Sequence, residues 1–268
     1  MAMETVVEPH DRYNLRKTLT IMERDLRALE KKDVHILDQS MLECYKIRAL
    51  PLSLDADDSL APKFFASFAV KDMPEPTPEY VEREYDTSRL TLITEPARVV
   101  YHYLKSYVGS LMVDFPEIRQ KWTSHQVGDY NFGSNRLYRM SEPQFGTFWI
   151  LHDPKAAKPH IKCVMYNEIY VDDNHLLCGE VLTVMLIMLG QLKQRVFVND
   201  MVAPVLLFSL NLLRPRVIEA YFDGQELVIR YTKSYDFKLL NEAGFKTFAQ
   251  WLLGDAIGDT SREAIRTV

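Results

Sequence analysis

The chain has 268 residues, 47% of them hydrophobic, and a formal net charge of −5. A chain of this length buries roughly 70–75% of its unfolded surface, in one large domain or two small ones, so a substantial core is expected. The mildly acidic balance argues against broad, charge-driven nucleic-acid binding, and Cys44, Cys163 and Cys178, odd in number and far apart, give neither a zinc spacing nor a disulfide framework.

The opening stretch MAMETVVEPHDRYN has no long apolar segment. No secretory signal is therefore expected, and a reducing intracellular compartment, nucleus or cytoplasm, is. Leu15, Leu19, Met22, Leu26 and Leu29 then recur at helical spacing among charges of both signs, a narrow stripe on an amphipathic helix. Such a stripe either docks on the chain's own domain or presents a surface to a protein partner or a second copy. Val34 to Ser53 is weakly patterned and reads as a short strand or an irregular crossover. Asp55, Asp57 and Asp58 make an acidic turn without the spacing of a calcium loop, read as the cap of a helix from Leu60 to Phe68. Pro74, Pro76 and Pro78 mark an exposed connector. The expected organisation is an N-terminal helical elaboration over 1–75 and an α/β core over 76–268, unless the two form one continuous domain.

Thr94-Glu95-Pro96 starts a helix whose buried stripe is Val100, Leu104, Tyr107, Val108 and Leu111. Strands follow. Gly128, Gly133 and Ser134 break one segment into a hairpin or a bulged strand, and further strands are read at 145–151 and 161–170. The stretch Asn174 to Gln194 is apolar nearly all round between Val181 and Leu189, with Asp172 and Asp173 ahead of it as caps. It reads as a helix in the middle of the fold, too short for a membrane span, and no membrane association is expected. A strand over 202–210 comes next. Asp223-Gly224 joins 217–222 to 227–232 as a hairpin, and Phe237, Leu240, Phe248, Trp251 and Leu252 mark a closing helix weakened at Gly244. Helices and strands mixed in this order predict a sheet covered by helices on both faces.

This order, together with RPRVIEAYFDGQELVIRY at 214–231, resembles the restriction-endonuclease-like (PD-(D/E)XK) core, in particular the degenerate members found in fungal proteins. The resemblance covers Thr94 to Phe237. It implies an α/β fold with a mixed central sheet flanked by helices. Active members hold Mg²⁺ with a strand Asp and a Glu-x-Lys on the next strand, often with a helix Glu. Asp153 matches the strand Asp, and Glu95 or Glu117 would stand for the helix acid. Glu168 is the nearest carboxylate on the next strand, but Tyr170 stands where the lysine is required and Lys162 lies at the other end. With that pair missing, the expected function is a non-enzymatic interaction or scaffold protein on an inactivated core, with no cofactor and no bound metal.

Two alternatives stay open. One is a metal-dependent nuclease or phosphoryl-transfer enzyme using Asp153 and Glu168. The other is a nucleic-acid-binding module, in which Arg136, Arg139, Lys155 and Lys158, with Arg119, Lys121 and Lys162, hold phosphates while Trp122, Tyr130 and Tyr138 stack bases. His152, Asp153 and His160 could meet across a turn to bind metal, Arg214 and Arg216 either orient a phosphate or pair with Glu219, and Cys163 and Cys178 read as packed thiols.

Overall fold

The structure is a computed structural model, and it describes residues 8–56, 58–68, 73–88, 90, 92, 95–125, 137–263 and 265. In chain order the elements are α1 (His10–Glu30), β1 (Ile36–Leu37), α2 (Gln39–Cys44), β2 (Ile47–Pro51), α3 (Glu95–Asp114), α4 (Pro116–Arg119), β3 (Thr123–His125) and β4 (Tyr138–Arg139). They continue with β5 (Phe145–His152), β6 (Ile161–Asn167), β7 (Leu176–Leu177), α5 (Cys178–Leu192), β8 (Val205–Asn211), β9 (Arg216–Phe222), β10 (Leu227–Tyr231) and α6 (Glu242–Leu253). Among the described residues no helix is long and apolar enough to cross a membrane.

Eight strands form one mixed sheet in the order β2-β10-β9-β8-β6-β5-β3, with β4 also paired to β5. The pairs β6–β8 and β10–β2 are parallel and the rest antiparallel. Parallel neighbours cannot be joined by a tight turn, and α5 is the crossover between β6 and β8. Alternation along the strands splits the core into two layers. Val164 and Tyr166 of β6 and Leu206, Phe208 and Leu210 of β8 join α3 and α6 in one cluster. Cys163 and Met165 of β6 and Val205 and Leu207 of β8 join α1 and α5 in the other. Both strands are thus buried on two faces, which is why they are apolar but for Lys162 and Asn167 in β6 and Ser209 and Asn211 in β8. The protein is an α/β molecule with a mixed sheet flanked by helices.

All fifteen residues of α5 are buried, including Leu182, Leu186 and Leu189. Its start differs from the expectation. Asp172 and Asp173 lie in a preceding turn, Leu176 and Leu177 pair with Leu37 and Ile36, and the helix begins only at Cys178. The side chain that caps it is Glu180, whose Oε2 accepts from the Leu177 N–H at 2.9 Å.

The stripe of α1 is covered from within. Leu15, Leu19, Met22 and Leu26 are buried against α5, and Leu29 packs on the same cluster. The proposed partner surface is therefore part of the molecule's own core. The expected helix over 60–68 is absent. Pro62 interrupts it, and backbone donors that a helix would use internally go elsewhere: Phe64 N–H to Glu219, Ala66 N–H to the Asp255 carbonyl and Phe68 N–H to the Gln250 carbonyl. Gly254 is required there, because a Cβ at that position would stand 1.9 Å from the Ala66 carbonyl oxygen. The proline segment is also not an exposed connector. Met73 and Pro76 are buried, and Tyr107 and Tyr103 of α3 donate to the carbonyls of Pro74 and Pro76. It forms a strap across α3.

At the far edge, β2 pairs with β10 from Ile47↔Leu227 to Pro51↔Tyr231, so the N-terminal part supplies an edge strand to the common sheet. The hairpin forms where expected. Gly224 adopts φ +99°, and Asp223 Oδ1 accepts from the N–H groups of Gln225 and Glu226. The strand read as 161–170 ends at Asn167, and the closing helix starts only at Glu242, where the Asn241 side chain caps Gly244 N–H. The expected break over Gly128, Gly133 and Ser134 lies outside the described residues, as do Arg136, Tyr130, Thr94 and Asp57.

Candidate functional site

In the antiparallel pair β5–β6, His152 faces Ile161 and Phe145 faces Asn167. Asp153 follows the first end and Glu168 the second, so the two acids are separated by the length of the strands, roughly 20 Å at about 3.3 Å per residue. They cannot share a metal ion. Asp153 is spent on its turn, with Oδ1 accepting from Lys155 N–H at 2.9 Å and Oδ2 from Ala157 N–H at 3.0 Å. Glu168 Oε2 accepts from Gln144 N–H at 2.6 Å. Between them the α3 side of the sheet is filled by rings. A register shift between Thr147 and Trp149 puts Phe148 and Trp149 on the same side. Phe148 stacks on Tyr101 of α3 at 4.7 Å and tilts against Tyr166 at 4.8 Å. His152 and His160 do not form a metal pair with Asp153. His160 is buried between Phe64 and Phe65, with Nε2 at 2.8 Å from the Ile257 carbonyl. Burial pushes it down to about 4, as Nδ1 is also buried with nothing to bond. Among the described residues no group of three or more His, Cys, Asp or Glu is placed to hold a metal ion.

The candidate nucleic-acid cations do not line up as a stripe. Arg139 is engaged by Glu30 and Asp33, Lys121 by Asp255 and Lys158 by the Ala256 carbonyl. Lys162 is fully buried. Its Nζ donates to the carbonyls of Leu252 at 3.0 Å and Gly254 at 2.6 Å and lies 4.1 Å from the Trp122 ring. Burial holds it well below the ordinary lysine value. Trp122 and Tyr138 donate to the carbonyls of Gly254 and Thr147, so neither is presented to a base. Lys155 and Arg119 remain exposed, on different elements.

Two polar features escaped the sequence reading. The first is a buried node at the carboxyl ends of β6 and β8. Arg216 does not pair with Glu219. It meets Glu180 through Nη2–Oε2 at 2.5 Å and Nε–Oε1 at 3.0 Å, with both side chains withdrawn from solvent. Asn211 donates to Glu180 at 3.2 Å, Asn167 bonds Ser209 and Asn211, and Arg216 Nη1 donates to the His175 carbonyl. Burial pushes the Glu180 carboxyl up, but the Arg216 charge and the hydrogen bonds together outweigh it, and the net shift is downward. Glu219 bonds Arg230 at 2.9 Å instead, and Arg214 faces Asp236. Arg216, the second arginine of RPRVIEAYFDGQELVIRY, is thus a structural group.

The second is a groove of about 520 Å³ between the strap and the outer face of α3, lined by Glu82, Arg83, His102, Lys105, Ser106, Gly109, Ser110 and Val113. Arg98, His102, Lys105, Gly109 and Val113 recur at helical spacing and so share one face. Ser110 donates to the Tyr80 carbonyl and Ser106 accepts from Glu82 N–H, which fixes the strap beside the helix. Lys105 leans on the Tyr101 ring at 5.7 Å and Arg98 on Phe148 at 5.9 Å. Among the described residues Arg83, Arg98 and Lys105 have no carboxylate partner. Partial burial and the charges of Arg83, Lys105 and Arg98 hold His102 below the ordinary histidine value. The helical part of this face is legible in the spacing of Arg98, His102, Lys105, Gly109 and Val113. Arg83 is not, because the strap's path is decided by tertiary contacts.

Compared with protein-family models, with curated proteins and with solved structures, the chain has no match in any of the three.

Proposed function

We propose that the chain is a non-catalytic interaction or scaffold protein built on a nuclease-like core. The succession of α3, the antiparallel pair β5–β6, the crossover α5 and β8, with β8 parallel to β6, supports the nuclease-like part. The observation that carries the non-catalytic part is the separation of Asp153 from Glu168 across a sheet face packed with Phe148, Trp149 and Tyr166. A hydrated Mg²⁺ and a scissile phosphate need several convergent oxygens and open space, and this face offers neither. Single- and double-stranded DNA and RNA incubated with Mg²⁺ or Mn²⁺ are expected to remain uncut above the level of an Asp153→Asn control. Metal-dependent cleavage that disappears in that control would overturn the proposal.

A further inference from the structure

We propose that the groove between the strap and α3 binds a phosphorylated peptide segment. A phosphate monoester carries close to two negative charges and three acceptor oxygens, and is held by converging cations. Arg83 comes to the groove from the strap, and His102 and Lys105 from α3, with Arg98 one turn away. The Lys105 ammonium and the Arg98 guanidinium lie over the mutually stacked Tyr101 and Phe148 rings, so the cations are positioned before a ligand arrives. The Ser106 hydroxyl accepts from Glu82 N–H and keeps its own proton to donate.

The shape decides between anionic partners. The cations cluster at one end. Ser106, Gly109 and Ser110 make a low floor, where a Cβ on Gly109 would meet nothing within 4 Å. Val113, 66% exposed, closes the other end. Lys105 to Val113 is about 12 Å along the helix at roughly 1.5 Å per residue, the reach of about four residues of extended peptide. One phosphate and an apolar side chain about four residues from it match that layout. A nucleic-acid strand would need cations repeated along the groove, and here they sit at one end. Glu82 and the net charge of −5 also disfavour a polyanion.

The groups facing His102 are Arg98, Tyr101 and Lys105 from its own helix and Arg83 and Glu82 from the strap. A bound dianion offsets the cations, so it favours the imidazolium. Occupancy therefore raises the His102 titration midpoint.

The inference names a partner for the interaction reading above, and the two fail separately. Nuclease activity would remove the non-catalytic reading and leave the groove standing, whereas the peptide experiment tests the groove alone. The probe is a fluorescein-labelled Gly/Ser peptide carrying one phosphoserine and a leucine about four residues on, titrated into the full chain by fluorescence polarisation. It is expected to bind at least about tenfold tighter than its unphosphorylated twin, a difference of about 1.4 kcal/mol. Arg83→Glu and Lys105→Glu should each remove that preference, and Arg119→Glu, outside the groove, should keep it. Gly109→Leu, whose side chain enters open space, should block the peptide while inorganic phosphate still shifts the His102 ring signals in NMR, which keeps the test alive if a charge reversal misfolds. Equal binding of the two peptides, stronger binding of a single-stranded RNA of equal length, or a His102 midpoint unmoved by phosphate would each overturn the inference.

Discussion

Arg216 loses its hydration when β9 pairs with β8, and Glu180, at the first turn of α5, is what meets it. A buried pair of this kind adds little over a well-packed apolar pair, but removing one partner strands the other charge. Glu180→Gln is therefore expected to cost about 3–5 kcal/mol in urea unfolding, while Glu180→Leu with Arg216→Met should cost less than the sum of the two single changes by about 1–3 kcal/mol. Additive losses would mean that the pair acts as two independent packers. The pH dependence follows from the lowered carboxyl. Its stabilising contribution is complete above the ordinary value of 4.5 and is lost as pH falls through the lower value it has in the fold. The wild-type unfolding midpoint should fall on that acid side, and the Glu180→Gln variant should lack this part of the fall.

At the scale of elements, α1 and α5 explain each other. An α5 apolar nearly all round needs cover on the side away from the sheet, and the narrow stripe of α1 supplies it, with Leu19 and Leu26 fully buried. Arg12 ties the start of α1 down by donating to the carbonyls of Phe197 and Asp200. Changing Leu19 and Leu26 together to aspartate is expected to abolish cooperative unfolding, since the cost of burying two unpaired charges, on the order of 5 kcal/mol or more, rivals the stability of a whole domain. Retention of a wild-type unfolding midpoint would place the stripe outside the core.

Across the whole molecule, the N-terminal part and the rest of the described chain share one sheet and the two core layers that flank it. β2 closes the edge beside β10, the 60–68 loop is bonded to the end of α6, and α1 covers α5. A fragment beginning at residue 76 would expose the edge of β10 and the α1-facing side of α5. It is expected to show no cooperative thermal transition and to bind hydrophobic dyes. A fragment that melts cooperatively near the full-length midpoint would show that the first 75 residues are dispensable.

The sequence by itself determined the elements whose signal is local. The run from Val181 to Leu189 has only one solution, burial on all sides, and Asp223-Gly224 carries its own turn geometry. The strands over 145–151 and 202–210 are placed by their apolar runs, while the sequence leaves their register open. It also showed that the Glu-x-Lys pair is absent. What only the tertiary structure decided involves acceptors distant in the chain. Residues 60–68 have helical composition, yet their N–H groups find Glu219, Asp255 and Gln250. The strap follows α3 because Tyr103 and Tyr107 hold its carbonyls. Whether Leu19 faces a partner or α5, whether Arg216 meets Glu219 or Glu180, and whether Arg83 joins His102 and Lys105 are questions of which surfaces meet. Periodicity states that a face must be covered or may bear charge, and packing alone states by what.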